Sequence, residues 1–146
     1  MLQHLKIFLS KSASKKRLLL EVAWNLMYVR LYNLIFPFKM LSAMLNSDIK
    51  ESNGLTDQDR LDAIAITESI ENVSKVFPWI SSCLIQAATA KRMLNRRNIP
   101  SSISFGVKKS GEDIQNLDAH AWLTVCGETL LGGESAGEYT LVSSLS

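Results

Sequence analysis

Apolar residues run almost unbroken from Leu18 to Phe38, and the polar ones among them fall at helical spacing. Arg17, Glu21, Asn25, Tyr28 and Tyr32 recur every three or four residues, the period of one helix face. The pattern predicts a long helix over Arg17–Phe36 with one polar stripe and most of the remaining cylinder buried. Pro37 ends or bends that helix, and Phe38–Leu45 continues as a short one. The polar run Asn46–Gly54 reads as a linker. Thr56 then caps a helix that reaches about Val76, with Asp57 and Asp59 in its first turn, where the helix dipole favours acids. Leu61, Ile64, Ala65, Ile70 and Val73 give it an apolar side, and Pro78 lies beyond its end. Ser81 or Ser82 caps a fourth helix. Leu84, Ala87, Ala88, the stem of Lys91 and Leu94 share one of its faces, and Arg96 and Arg97 suit its last turn.

After Pro100 the period shortens to two. Ile103–Val107 and Ala119–Val125 read as strands separated by a polar loop, Lys108–Asn116. Cys126-Gly127 is a tight turn into a third strand, Glu128–Leu131. Gly132, Gly133 and Gly137 bound a loop before a fourth, Tyr139–Val142. Helices followed by an antiparallel meander make an α+β fold.

Composition narrows the class. The 146 residues are 47% hydrophobic and 21% charged, which suits one globular domain and excludes disorder, collagen and coiled coil. Two cysteines are too few for a disulfide framework or a four-cysteine zinc site; they suit a reducing, cytoplasmic setting. The net charge of +2 is unevenly spread. Residues 1–46 hold seven Lys/Arg and one acid, residues 47–77 three and seven, residues 78–146 six of each. The basic first third suits an acidic partner or an anionic membrane surface, whereas nucleic acid would need a basic face elsewhere too. The first twenty residues lack the apolar core of a signal peptide. Glu21, Asn25, Arg30 and Asn33 make Leu18–Phe38 costly to insert as a membrane span.

Candidate chemistry gathers at two positions. Cys83 opens a helix, where backbone N–H groups and the dipole stabilise a thiolate, so it is a candidate nucleophile; otherwise it is a small buried core residue. His120 shares a strand face with Trp122 and Thr124, opposite Ala119, Ala121 and Leu123. His4 lies near the chain start, which leaves His120 as the candidate base. With Cys126-Gly127 as the turn, His120 pairs near Gly133, so Glu134 is placed to accept from the ring and fix its tautomer. Asp118, two residues before His120 on the same face, is the rival acid. Cys126 sits at a turn tip. Cys83, Cys126 and His120 lack the paired spacing of a zinc site, and no phosphate loop or dinucleotide fingerprint occurs.

Two stretches carry a resemblance: Ser82-Cys83-Leu84-Ile85-Gln86-Ala87 through Arg96-Arg97-Asn98-Ile99-Pro100, then Phe105-Gly106-Val107 followed by Ala119-His120-Ala121-Trp122-Leu123. Together they resemble the transglutaminase-like leader peptidases of lasso-peptide biosynthesis, the catalytic B proteins, and the similarity extends over most of the chain. The Lys16-Arg17-Leu18-Leu19-Leu20-Glu21-Val22-Ala23 stretch and Pro37-Phe38 are similar to the family's helical start. The resemblance implies a papain-like cysteine peptidase with Cys83 as nucleophile and His120 as base, and no cofactor or metal. It departs at the acid, because Gly132 and Gly133 stand near the family's usual Asp; Glu134 is the substitute. It further implies a ribosomally synthesised precursor peptide as substrate and an ATP-dependent macrocyclase that uses the freed core.

No domain of about 80 residues is left over to hold the leader, so the chain reads as the split type, served by a separate PqqD-like recognition protein. On this reading residues 1–46 form a helical segment suited to docking and residues 47–146 the peptidase core, within one compact unit. Trp24, Tyr28 and Tyr32, with Lys15, Lys16 and Arg17, are the candidate docking surface. Two other readings stand beside it: a non-catalytic scaffold of the same fold, and another acyl-transfer enzyme such as an amidase or transglutaminase.

Overall fold

The computed structural model describes residues 3, 12–46, 54–80, 82–109, 111 and 117–146. The linker at 47–53, Ser81, His4 and most of the loop at 110–116 lie outside the described residues. Among the described residues four α-helices precede a four-stranded antiparallel sheet: α1 (Ala13–Ile35), α2 (Phe38–Leu45), α3 (Asp57–Val76), α4 (Cys83–Asn95), then β1 (Ser102–Lys109), β2 (Leu117–Val125), β3 (Glu128–Leu131) and β4 (Thr140–Leu145). This is the α+β class the patterning implies. Pro37 acts as expected: Phe36 before it is extended, and Pro37 is the N-cap of α2. Thr56 closes a capping box on α3, its hydroxyl accepting from Asp59 N and its own N–H donating to the Asp59 carboxylate.

α4 is the centre of the core. Ile85, Ala87, Ala88, Ala90, Met93 and Leu94 are fully buried. Its small residues let α1 and α3 approach on one side and the sheet on the other. The face of α3 that meets it carries Ala63, Ile66, Thr67, Ile70 and Val73, at helical spacing. The expected apolar side is therefore rotated, and Leu61 is exposed; small and hydroxyl-bearing residues fit the close approach to α4 better than Leu61 does.

The polar stripe of α1 also falls differently from the sequence reading. Glu21 and Asn25 turn inward, where α4 and the turn after it present two cations: Arg97 makes two bonds to the Glu21 carboxylate, at 3.0 and 2.8 Å. Arg92 donates to the Asn25 side chain and lies 4.3 Å over the Tyr28 ring. Val22, Leu26 and Val29 fill the adjoining buried face. Leu20, Trp24, Met27, Leu31, Leu34 and Ile35 are left exposed, so the cylinder is not mostly buried. The partners that Arg92 and Arg97 find in Asn25 and Glu21 favour this side of α1 facing in. No helix among the described residues is long and apolar enough to cross a membrane.

Lys91 is fully buried on α4, and its ammonium donates to the Ser101 carbonyl at 2.7 Å. Burial pushes its pKa from 10.5 down to about 8. Between those values the unfolded chain holds a proton that the folded chain has lost, so stability rises as pH climbs from about 8 to 10.5. The rise is expected to reach at most about 3 kcal/mol. Urea unfolding at neutral and alkaline pH checks this, and Lys91→Met should flatten the dependence.

The sheet order is β3-β2-β1-β4. β4 pairs with β1 rather than β3, so the sheet is not the plain meander of the sequence reading. The reason is the segment Gly133–Glu138, a 3₁₀ turn that packs on β2 and carries the chain across it. That crossover brings the residues after Gly132 to His120.

Candidate active site

Ser82 is the N-cap of α4, with its hydroxyl accepting from Ile85 N at 3.4 Å. Cys83 is therefore the first helical residue, half-buried against the core, in a first turn free of acids. Anions are favoured at such an end. Gln86, one turn on and on the same helix face, lines an open cavity of about 780 Å³. Its walls come from the end of α3 (Glu71, Lys75), from His120 on β2, and from residues 129–134.

β2 alternates as its sequence implies: Ala121, Leu123 and Val125 are buried on the core face, and His120, Trp122 and Thr124 are half-buried on the other. The β2–β3 register starts at Val125↔Glu128 and Thr124↔Thr129, as a Cys126-Gly127 turn requires, and both turn residues have positive φ. A bulge then shifts it to Leu123↔Leu131, and the ladder stops there. Gly132 turns into the left-handed region, at φ 73, and its carbonyl oxygen meets His120 Nε2 at 2.8 Å. A carbonyl only accepts, so Nε2 carries the proton, and in the neutral ring Nδ1 is the nitrogen that bears the lone pair. The tautomer is assigned from this partner.

Of the residues singled out in the sequence, His120 and Glu134 line the same cavity, with Glu134 exposed. Cys83 heads the helix whose Gln86 joins them. Asp118 accepts from the Tyr139 hydroxyl at 3.1 Å. Cys126 is exposed at the hairpin tip. Among the described residues no group of three or more His, Cys, Asp or Glu is arranged to hold a metal ion.

A family model, the transglutaminase-like superfamily, matches residues 29–144. The chain belongs to that superfamily. The superfamily generally comprises cysteine peptidase and transglutaminase-type enzymes, and this transglutaminase-like chain has a helix-then-sheet order. The matched span begins within α1. No curated protein and no solved structure matches the chain.

Three contributors escaped the sequence reading. Gln86 looked like an ordinary helix residue. Gly132 supplies a backbone oxygen, which no side-chain inventory contains. Tyr139 reaches His120 only because the crossover spans β2. The two consecutive glycines after β3 were the one available signal, marking a close approach of backbone to something else.

Gly132 has little tolerance for a side chain. A Cβ there would lie 2.8 Å from the Ala121 carbonyl and 3.2 Å from His120 Nε2, at a φ that favours glycine. Gly132→Ala is expected to lower stability by about 1–2 kcal/mol. It should lower turnover by about tenfold or more by displacing the imidazole. Thermal unfolding and single-turnover cleavage check the two effects.

Proposed function

We propose that this chain is a cytoplasmic cysteine peptidase that removes the leader from a ribosomally synthesised lasso-peptide precursor. The observation that carries the reading is His120, its Nε2 held by the Gly132 carbonyl on the wall of an open cavity. The helix lining that cavity through Gln86 starts at Cys83. In this scheme Nδ1 takes the Cys83 proton and the thiolate attacks the scissile carbonyl. The imidazolium then protonates the leaving amine, freeing the core peptide and leaving the leader as a thioester on Cys83. Water, deprotonated by His120, attacks the thioester and restores the thiol. Glu134 stands at the cavity rim as the carboxylate of the set, supporting the imidazolium while the backbone carbonyl fixes the ring.

The leader is delivered by a separate PqqD-like recognition protein that docks on the exposed apolar face of α1. The freed core amine passes to an ATP-dependent macrocyclase. Mass spectrometry of a lasso precursor incubated with this chain, with and without the recognition protein, tests the reading. Cleavage at the leader–core junction, with leader trapped on Cys83 as a thioester, supports it. Incorporation of an added amine in place of water would assign the chain to acyl transfer instead, and an intact precursor under all conditions would overturn it.

A further inference from the structure

Tyr139 follows the crossover and lies next to His120: their ring centroids are 5.0 Å apart with a 32° tilt. Trp122 stacks near the same imidazole at 6.0 Å and 27°. Gly106, paired with His120 across the β1–β2 ladder, leaves room for both flanking rings. A Cβ there would fall 2.8 Å from Tyr139 Cβ and 2.9 Å from the Trp122 ring. The Tyr139 hydroxyl donates to Asp118 Oδ2 at 3.1 Å, and the Lys108 ammonium sits 4.7 Å from the centre of its ring. Lys108 is in turn paired with Glu138 at 2.8 Å. The imidazole is thus met by aromatic rings from Trp122 and Tyr139 and held by a carbonyl at Nε2.

We propose that Tyr139 is a positioning residue, which keeps the His120 ring in its working orientation and is itself anchored by Asp118. The proposal rests on the reading of His120 as the general base. It gives Asp118 an indirect role: its carboxylate restrains the phenol that packs on the imidazole. Desolvation, with the Asp118 hydrogen bond and charge, raises the Tyr139 pKa above its ordinary value; the phenol is protonated at neutral pH and donates to Asp118. A hydrogen bond at Nε2 fixes one point of the ring, and tilt about that contact is a separate freedom. Packing on the ring face removes that freedom, which is how the supporting residues of a site hold its geometry.

The test uses the full chain and two readouts. Long-range ¹H–¹⁵N spectra at alkaline pH, where the imidazole is neutral, report the tautomer of His120; a His4→Asn variant assigns the two histidines. The parent and Tyr139→Phe should show the Nε2-protonated form. Tyr139→Leu should drift toward the mixture of a free imidazole, with kcat down about tenfold and KM within about twofold. Asp118→Ala should move both readouts in the same direction by a smaller amount, about threefold in kcat. Parent-like His120 shifts in Tyr139→Leu would overturn the proposal. Should that variant fail to fold, Tyr139→Met and Asp118→Ala decide it, and parent-like shifts in both would overturn it. If the parent cleaves no precursor, the peptidase reading fails, and the tautomer measurement still decides whether Tyr139 holds the ring.

Discussion

Cys83→Ala and His120→Ala are each expected to abolish precursor cleavage, by a factor of about 10³ or more, while the fold persists. In the proposed cycle Cys83 at the head of α4 forms the acyl bond, and alanine supplies no electron pair to do so. In that cycle His120 both accepts the thiol proton and returns it to the leaving amine, so its loss would stop both halves. Neither change should unfold the chain. Cys83 is half-buried at a helix end whose cap is Ser82, and that cap stays. His120 lies on the half-buried face of β2, while the core face is held by Ala121, Leu123 and Val125. Circular dichroism and thermal unfolding should match the parent. Because the two residues act as a unit, the double variant should be no slower than either single one. Cys126→Ala is the control: Cys126 is exposed at the hairpin tip, and its removal should be nearly silent. Normal turnover by a folded Cys83→Ala protein would place the chemistry elsewhere.

What the sequence conveyed about this fold was its local part. Caps and prolines act on their immediate neighbours, so the boundaries at Pro37, Thr56 and Ser82 were legible, as were the hairpin at Cys126-Gly127 and the alternation along β2. Features set by distant partners were less so. Which side of α1 faces inward depends on Arg92 and Arg97, about 70 residues later in the chain, and periodicity carries no information about that. The burial face of α3 was misplaced because Thr67 and Ser74 read as polar yet are buried; Thr67 satisfies its hydroxyl on the Ala63 carbonyl one turn back. The bulge at Leu123/Thr124 and the crossover of β2 decide what reaches the imidazole. A register count from the hairpin turn approached Gly133 but had no means of showing that a carbonyl meets Nε2. Cys83 and His120 were visible because each is a rare residue type at a chemically suggestive place. Gly132 and Tyr139 became visible only with the chain's path.

The isolated chain is expected to cleave precursor slowly, and a separate leader-recognition protein to raise the rate by about 10²-fold or more. The cavity at His120 is open, and in the proposed reading it holds only the residues around the scissile bond, so it offers little affinity for a long leader. Tethering that leader on a docked partner makes its encounter with the cavity intramolecular, at an effective concentration on the order of 1 mM for a short linker. In the proposed reading the docking surface is the outer face of α1. Leu20, Trp24, Met27, Leu31 and Leu34 lie there at intervals of three and four residues, and Trp24 is 70% exposed. Such a continuous apolar strip marks a binding surface. Lys15, Lys16 and Arg17 stand at its beginning and favour a partner with acidic residues there. The opposite face, Val22, Leu26 and Val29, is packed in the core. Trp24→Glu with Leu31→Glu therefore changes only the exposed side, and should remove most of the partner's stimulation while leaving the slow basal rate intact. Lys15→Glu with Lys16→Glu should weaken the stimulation less, and more so at low salt, as an exposed electrostatic contribution does. Rates measured across a titration of the recognition protein separate weaker docking from a lower ceiling. Full-speed cleavage by the isolated chain, or unchanged stimulation of the Trp24/Leu31 variant, would rule out α1 as the place where the leader is delivered.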